Sequence, residues 1–310
     1  MSTLNNKIKT IHFLTDGGLE TDLIFNKNID LPHFAAFPLV EDPDLINILK
    51  DYYKAYMNIA KHHKTGFILE SPTWRANPDW GFKLGYTKTD LIEVNKLAIN
   101  KLKELKMLYA QDINDILVCG QIGPRGDGYE VGKAMTAVQS NEYHHLQIKA
   151  FGEAGVDLVS AITMTYTDEA LGIVECAKSN GLPVVISFTV ETDGNLPSGK
   201  SLKYAIEKID AKTNKYPSYY MINCAHPSHF VKQLSENQNW RNRIKGVRAN
   251  ASCKSHTELD QSTTLDTGNK EDLAKWYNTL KTLLPGLSIY GGCCGTDATH
   301  IESICNRILN

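Results

Sequence analysis

Eight short apolar segments that alternate with helical patterns constrain the fold of this chain more than any other feature. Most of them are rich in Val, Ile and Leu without strict alternation, which is typical of strands buried on both faces. The predicted strands cover residues 11–15, 66–71, 116–121, 156–163, 183–189, 219–224, 244–250 and 287–293. The predicted helices cover residues 43–63, 91–109, 141–153, 168–178, 202–211, 227–234, 270–283 and 298–308.

This alternation predicts an α/β fold, a single (β/α)8 TIM barrel with one domain spanning residues 1–310. A doubly wound open sheet would also alternate. The barrel is favoured because the unusual residues follow predicted strands, and barrel active sites form at that rim. Three long irregular segments, residues 26–39, 122–136 and 253–267, are predicted insertions, and the first is placed to reach over the barrel mouth.

Charge and composition exclude several classes of partner. The net charge is -2, with 33 basic and 35 acidic side chains and no basic stretch, so no nucleic-acid partner is expected. No apolar run resembles a signal peptide or approaches the roughly 18 residues of a membrane span, so no membrane partner is expected. Seven cysteines in a long chain indicate reduced thiols and a cytoplasmic protein. The oligomeric state stays open.

A Gly-Gly-Cys-Cys-Gly-Thr motif at residues 291–296 carries the strongest chemical signal. Adjacent cysteines in a regular strand point to opposite faces, but the flanking glycines permit a bend that brings the sulfurs of Cys293 and Cys294 to one side. Cys224 ends the sixth predicted strand, two strands away from the eighth in a barrel. Zn²⁺ suits thiolate ligands, and three protein ligands leave the open position of a catalytic site.

The other cysteines lack this context. They are Cys119, Cys176, Cys253 and Cys305. Cys119 is expected in the core, and Cys253 near the rim is not counted as a ligand. His226 is the one nearby candidate for a fourth ligand, but its place before a predicted helix favours a capping role.

A second motif follows the first predicted strand, where Asp16, Gly17, Gly18 and Glu20 are expected at the rim. The glycine pair is predicted to expose backbone N–H groups, and either carboxylate is suited to hold a cationic group of a ligand. Asp-Gly-Gly is also an ordinary turn. It is not a phosphate loop, because no Gly-Lys-Ser/Thr follows.

Taken together, the Asp-Gly-Gly-Leu-Glu-Thr start, Ser-Phe-Thr at 187–189, Ile-Asn-Cys at 222–224 and the double-cysteine motif resemble the homocysteine S-methyltransferase family over nearly the whole chain. The resemblance implies a zinc-dependent TIM barrel that methylates a thiol, usually homocysteine, to a thioether. It implies Cys224, Cys293 and Cys294 as zinc ligands. Thr73 and Asn250 resemble two further family positions near the pocket.

The chemistry agrees with this resemblance. A free aliphatic thiol is mostly protonated at neutral pH, and a sulfur bound to Zn²⁺ is deprotonated. No catalytic residue beyond the metal site is then required. The 310 residues leave no room for separate folate or cobalamin domains beside the barrel, which favours a small donor: S-methylmethionine, S-adenosylmethionine or a betaine. The expected product from homocysteine is methionine.

One position departs from the family pattern. Where family members carry Glu-Thr after the fourth strand, this chain has Ile162 and Thr163. The family Glu helps to hold the amino group of homocysteine. Glu70, at the end of the second predicted strand, is the candidate replacement. Otherwise the acceptor is a different thiol or a selenol.

Two alternative functions, from classes other than methyl transfer, remain open. The first is a non-enzymatic zinc-binding or thiol-binding protein, which would need a site closed by a fourth ligand. The second is a barrel hydrolase or aldolase, which would need His or carboxylate ligands or a lysine at a strand end. Lys245 lies near the start of the seventh predicted strand, at the wrong end for that role.

Overall fold

In the computed structural model, which describes residues 2–235 and 239–309, eight parallel strands form one closed barrel in chain order. The strands are β1 (Phe13–Leu14), β2 (Gly66–Glu70), β3 (Ile116–Ile122), β4 (Leu158–Met164), β5 (Val184–Phe188), β6 (Tyr219–Asn223), β7 (Ile244–Ala249) and β8 (Ile289–Gly292). The predicted TIM barrel is confirmed, and each predicted strand overlaps an observed one.

A helix follows each strand. These helices are α1 (Leu45–His62), α2 (Lys88–Tyr109), α3 (Ala137–Ala154), α4 (Thr167–Ser179), α5 (Leu202–Thr213), α6 (Pro227–Leu234), α7 (Lys270–Leu283) and α8 (Ala298–Ile308). The start of α3 lies four residues before the predicted one, because Thr136 and Gln139 form a capping box there.

The first strand is much shorter than the predicted residues 11–15. It pairs Phe13 with Gly66 of β2 and with Ile289 of β8, which closes the barrel. Beyond it, the backbone N–H of Thr15 donates to the carbonyl of Tyr290 at 2.9 Å. The chain therefore stays beside β8 after the regular strand ends, and this places residue 16 at the rim.

The lower interior of the barrel is apolar. Inward-facing side chains fill it, among them Ile68, Leu117, Leu158, Val185, Tyr219, Met221 and Ile289. A helix before the barrel, Ser2–Thr10, adds Leu4 and Ile8 to this cluster. The ion pair between Lys7 and Asp115 ties that helix to the barrel. Side chains therefore fill this end of the barrel, and any cavity inside the barrel must lie at the other end.

The three predicted insertions all reach the rim at the carboxyl ends of the strands. Phe34, Tyr129 and Leu259, one from each insertion, line the same cavity. The expectation that residues 26–39 extend over the barrel mouth is thus confirmed. Within the described ranges, the helices are all too short or too polar to cross a lipid bilayer.

Candidate metal and substrate site

The three sulfurs predicted as metal ligands meet at the barrel rim. The sulfur atoms of Cys224, Cys293 and Cys294 all lie within 4.8 Å of one another, and those of Cys224 and Cys294 are 4.0 Å apart. Zn–S bonds of about 2.3 Å in a tetrahedron need sulfurs separated by slightly less than 4 Å. Once reduced, the three cysteines would fit a thiophilic metal in charge and number, and the separation of the Cys224 and Cys294 sulfurs is close to that spacing.

The structure joins Cys224 and Cys293 in a disulfide, with their Cα atoms 5.3 Å apart, whereas the sequence predicted reduced cysteines throughout. The difference arises because strand ends that bring thiolates together for a metal also bring them within bonding distance. The other cysteines, including Cys294, are free thiols. Because a disulfide sulfur is not a thiolate ligand, the disulfide must be reduced before these residues can hold a metal.

Backbone geometry accounts for the glycines of the motif. A Cβ on Gly292 would collide with the hydroxyl of Thr296, and Gly295 has φ of +78°. Thr296 closes this turn by donating its N–H to the carbonyl of Cys293 at 3.1 Å. The bend that brings both sulfurs to one side, as predicted, therefore depends on residues without a side chain.

Cys224 itself adopts φ of +52°, which is uncommon for a residue with a side chain. Its carbonyl accepts hydrogen bonds from Thr189 at 3.3 Å and from His256 Nε2 at 2.7 Å. The other ring nitrogen of His256 lies 3.2 Å from a carboxylate oxygen of Glu191, and the ring stacks on Tyr129. Residues from three rim loops, those after β3, β5 and β7, thus hold the first cysteine in place.

Two further contacts surround the sulfurs. The hydroxyl of Tyr129 lies 3.6 Å from the sulfur of Cys294. The amide of Asn223 lies 4.0 Å from the sulfur of Cys293 and also bridges to Thr163 and Ser187. Burial raises the pKa of the Cys294 thiol to about 11 in the absence of a metal. A metal ion would supply the positive charge that favours the thiolate.

His226 caps helix α6, as the sequence predicted. Its ring accepts a hydrogen bond from the backbone N–H of Ser228 at 3.3 Å. Burial lowers its pKa to about 4, so the ring is neutral at physiological pH. Among the described residues, the metal-ligating group around the cysteines contains only the three sulfurs.

A cavity of about 390 Å³ opens above the sulfurs. Its wall includes the predicted residues Asp16, Gly17, Gly18, Glu20, Glu70, Thr163, Cys224, Cys293 and Cys294. The same wall includes Ile162, which is 6% exposed, so this side chain faces the cavity where the family has a Glu. The volume lies in the range of small-molecule sites.

Arg248 is the main site residue that the sequence patterns did not single out. This buried side chain forms ion pairs with both Asp16, at 2.6 Å, and Glu70. It also donates from Nε to the carbonyl of Gly292 at 3.0 Å. Burial raises the pKa of Asp16, and the charge of Arg248 opposes this shift. Neither Asp16 nor Glu70, both predicted to be open to a ligand, is therefore a free anion.

A signal for Arg248 was present in the sequence. An arginine between Val247 and Ala249, inside a strand that is otherwise apolar, must find a buried anion. The second residue that was missed, Arg75, stands beside Trp74 in the wall of the cavity.

Glu20, like Asp260, is a cavity carboxylate that forms no ion pair among the described residues. It lines the cavity, and no ion pair joins it to any residue in the described part of the chain. Burial raises its pKa to about 7. A ligand cation beside it would favour the ionised form.

The sequence predicted that the glycine pair exposes backbone N–H groups at the rim, but the N–H of Gly18 is engaged within the protein. Gly18 donates its N–H to the carbonyl of Thr296 at 3.1 Å, so this group is not free for a ligand. A Cβ on Gly18 would lie 2.5 Å from the carbonyl oxygen of Cys293. These glycines therefore let the first rim loop approach the metal motif closely.

Thr73 and Asn250 lie just outside the cavity wall. Thr73 is fully buried and donates its hydroxyl to the carbonyl of Gln121 at 2.8 Å. Asn250 is also buried, and its side-chain oxygen has no hydrogen-bond partner among the described residues. Thr73 thus connects the loop after β2 to β3, and Asn250 contacts the loop after β6 through its backbone N–H, which donates to the carbonyl of Ala225 at 3.2 Å.

The family model of the homocysteine S-methyltransferases matches residues 13–308. The chain belongs to this family. Its members are methyltransferases, and the match covers the whole barrel together with all three cysteines.

Curated relatives have a similar length and low identity. Homocysteine S-methyltransferase 2 of Arabidopsis thaliana is 24% identical, over 95% of this chain and 92% of the relative. Selenocysteine Se-methyltransferase of Brassica oleracea var. italica is 23% identical, over 96% of this chain and 89% of that one.

A solved structure supports the fold. The metallated form of the homocysteine methyltransferase MmuM from Escherichia coli superposes with a TM-score of 0.75 and 18% identity, over 99% of this chain and 98% of the other. The barrel architecture is therefore shared across the full length of both chains.

Proposed function

We propose that this chain is a zinc-dependent S-methyltransferase that moves a methyl group from a small sulfonium or betaine donor to a thiol. Homocysteine giving methionine is the first reaction to test, with S-methylmethionine or S-adenosylmethionine as donor. The observation that carries the proposal is the convergence of the sulfurs of Cys224, Cys293 and Cys294 at the base of a rim cavity. The whole chain acts as one barrel domain, and a cytoplasmic location fits the need for reduced cysteines.

The reduced cysteines would hold the ion through three thiolates. When bound, zinc would lower the pKa of the acceptor thiol and keep its sulfur as a thiolate. The acceptor loses its proton to solvent, its sulfur forms a bond to the methyl carbon, and the bond between that carbon and the donor's sulfonium sulfur or ammonium nitrogen breaks. The electron pair stays on that donor atom, so a sulfonium donor leaves as a thioether and a betaine leaves as a tertiary amine.

The cavity wall suits these charges. Glu20 offers a carboxylate without an ion pair to an ammonium or sulfonium group. Trp74 and Tyr129 also line the cavity, each with one ring face already stacked, on Arg75 and His256 respectively. Asp16 and Glu70 act through Arg248, which holds them beside the rim. Gly17, Gly18 and Thr163 shape the wall, while Thr73 and Asn250 brace the loops behind it.

The acceptor of this chain need not be homocysteine. Ile162 offers no hydrogen bond to an amino group, and Glu70 is engaged by Arg248 rather than free to replace the family Glu. A relative is a selenocysteine methyltransferase by name. A different thiol or a selenol is therefore the second candidate acceptor, on the same scaffold.

The test is methyl transfer measured by mass spectrometry on reduced, zinc-loaded protein with homocysteine and S-methylmethionine, then with other thiols, selenols and donors. Cys294→Ser is the control. Product formed by the wild type and lost in the variant supports the proposal. No transfer to any thiol or selenol from any sulfonium or betaine donor would contradict it.

Cobalt substitution separates the enzyme from a closed metal-binding protein. Because three protein ligands leave one open position, added thiol should change the sulfur-to-cobalt charge-transfer band. An unchanged band with cobalt bound would favour the non-enzymatic alternative.

A further inference from the structure

Two arginines border the cavity, and their charges are balanced very differently. Arg248 contacts two buried carboxylates. Arg75 is equally buried, at 5% exposed, but its nearest carboxylate oxygen, on Asp127, stands 3.9 Å from Nη2. That distance is too long for a hydrogen bond, and the Asp127 side chain is 53% exposed, so water screens its charge.

The remaining contacts of Arg75 carry no negative charge. Nη1 donates to the carbonyl of Gly126 at 2.8 Å, and Nε has no hydrogen-bond partner among the described residues. Burial lowers the pKa of Arg75 to about 10, and the more distant charges of Asp127 and Glu20 oppose this shift only in part. A buried cation of this kind is costly unless an anion completes its environment.

Two tryptophans fix the guanidinium in place. Its central carbon lies 4.0 Å from the ring centroid of Trp74 and 3.8 Å from that of Trp80. Stacking on two rings holds the planar group rigid and leaves its polar edge to make hydrogen bonds. A rigid guanidinium edge matches the two oxygens of a carboxylate.

We propose that Arg75 is the carboxylate-binding residue of this cavity and determines its preference for substrates that bear a carboxylate. The inference rests on the proposed methyl transfer, because it names a chemical group that the acceptor, the donor or both must carry. The wall around Arg75 agrees with this role, because its carboxylates are engaged elsewhere or lie too far away for a close pair. Asp16 and Glu70 are paired with Arg248, Asp266 is paired with Lys254, and Asp127 is half exposed to water. Among the described residues, neither Glu20 nor Asp260 forms an ion pair with Arg75.

Pairs of substrates that differ only in the carboxylate test the proposal. The acceptor pair is homocysteine and 3-aminopropane-1-thiol, with S-methylmethionine as donor. The donor pair is S-methylmethionine and (3-aminopropyl)dimethylsulfonium, with homocysteine as acceptor. We expect a kcat/KM preference of at least about 10-fold for the carboxylate in one pair or both, because charge-assisted hydrogen bonds contribute on this scale.

The Arg75→Gln variant should reduce that preference to about 3-fold or less. Arg75→Lys should show a preference between those of the wild type and Arg75→Gln, because an ammonium group keeps the charge but cannot form the two parallel hydrogen bonds of a guanidinium. A purely structural arginine would lower activity on both members of a pair equally. Arg125→Gln is the matched control. Arg125 also lies over an aromatic ring, that of Tyr143, but it is paired with Asp79 and does not line the cavity, so the preference should be unchanged.

Calorimetry makes the inference independent of catalysis. Reduced, metal-free protein should bind methionine more tightly than 3-(methylthio)propylamine, and Arg75→Gln should remove the difference. If this holds while no methyl transfer occurs, the proposed function fails and the role of Arg75 stands. If the wild-type protein shows equal kcat/KM and equal affinity for both members of every pair, the role of Arg75 is contradicted without any variant.

Discussion

The two ends of the barrel interior differ in polarity, although the same strands line both. Along a strand, an inward-facing residue at the lower end is apolar, and the next inward-facing residue, two positions later at the rim, is polar. Three strands show the change within two residues: Ile68 and Glu70 on β2, Val185 and Ser187 on β5, Met221 and Asn223 on β6. The lower member of each pair belongs to the apolar cluster that the N-terminal helix completes. The upper member is a buried polar side chain at the rim.

One sheet therefore serves two purposes. Apolar side chains at the lower end stabilise the fold, and their identity matters mainly through volume. Polar side chains at the upper end are costly to bury unless they are paired, so they indicate a binding site. Ile162 is the exception, because among the strand residues of the cavity wall it alone is apolar.

The strongest effect should be at the metal site. Cys294→Ser should lower zinc affinity and methyl transfer by well over 100-fold, because even residues that only contact metal ligands contribute 10- to about 100-fold. The free energy of unfolding of the reduced, metal-free protein should change little, since Cys294 is only partly buried. Zinc titration with a competing chelator measures the affinity, and retained stoichiometric zinc would contradict the assignment.

The next effect is at Arg248. Arg248→Met leaves the buried Asp16 and Glu70 without a cation, and such losses cost about 3–5 kcal/mol of unfolding free energy. Burial raises the pKa of Asp16, and loss of the Arg248 charge would raise it further, so a proton can neutralise this carboxylate and the loss should shrink between pH 7.5 and pH 5. Urea unfolding at the two pH values measures it. A triple variant that adds Asp16→Asn and Glu70→Gln should recover much of the stability; failure to recover would mean that Arg248 acts through packing instead.

The fold was predictable from sequence because strands buried on both faces leave continuous apolar runs between helical patterns. The metal site was predictable because adjacent cysteines between glycines suit a bent turn that presents two thiolates on one side. The balance of charges was not predictable. Arg248 and Glu70 lie 178 positions apart in the chain, and only closure of the barrel shows that they neutralise each other.

The side-chain positions in the rim loops could not be predicted from the sequence either. Tyr129 lies in an irregular insertion, and His256 begins a short helix, His256–Asp260, inside a segment that the sequence predicted to be irregular. In neither insertion does sequence periodicity indicate which side chains turn inward. The stacked rings of these two residues beside Cys224 and Cys294 depend on how two loops pack together. Glu20, in contrast, was found because it follows a strand end directly.

A smaller effect is expected at the lower end of the barrel. Ile68→Ala should cost about 2–4 kcal/mol of unfolding free energy through lost burial and a residual cavity, because Ile68 is 2% exposed. Zinc affinity and kcat should stay within about 2-fold, because this residue belongs to the apolar cluster and not to the cavity wall. Its matched partner is Glu70→Gln, two residues further along the same strand, which should alter substrate KM in addition to weakening the buried ion pair with Arg248. A change in substrate KM for Ile68→Ala, or none for Glu70→Gln, would show that the two ends are not separable.

The weakest effect concerns the pH dependence of Glu20. Burial raises its pKa in the folded protein to about 7, above the value of about 4.3 expected in the unfolded chain. Between these values the folded protein binds the proton that the unfolded chain has lost, so stability falls as pH rises from about 4.5 to about 7. The side chain of the Glu20→Gln variant stays neutral over this whole pH range. The variant should match the wild type near pH 4.5 and exceed it by about 1–2 kcal/mol at pH 8, less than full burial would give because the side chain borders the cavity.

Unfolding of reduced, metal-free protein across this pH range measures the difference between Glu20→Gln and the wild type. Parallel profiles would mean that Glu20 is already ionised beside a cation. A substrate ammonium group bound to Glu20 should abolish the fall in stability in the wild type alone, because the ligand's charge favours the ionised carboxylate. The titration is thereby connected directly to ligand recognition at the polar end of the barrel.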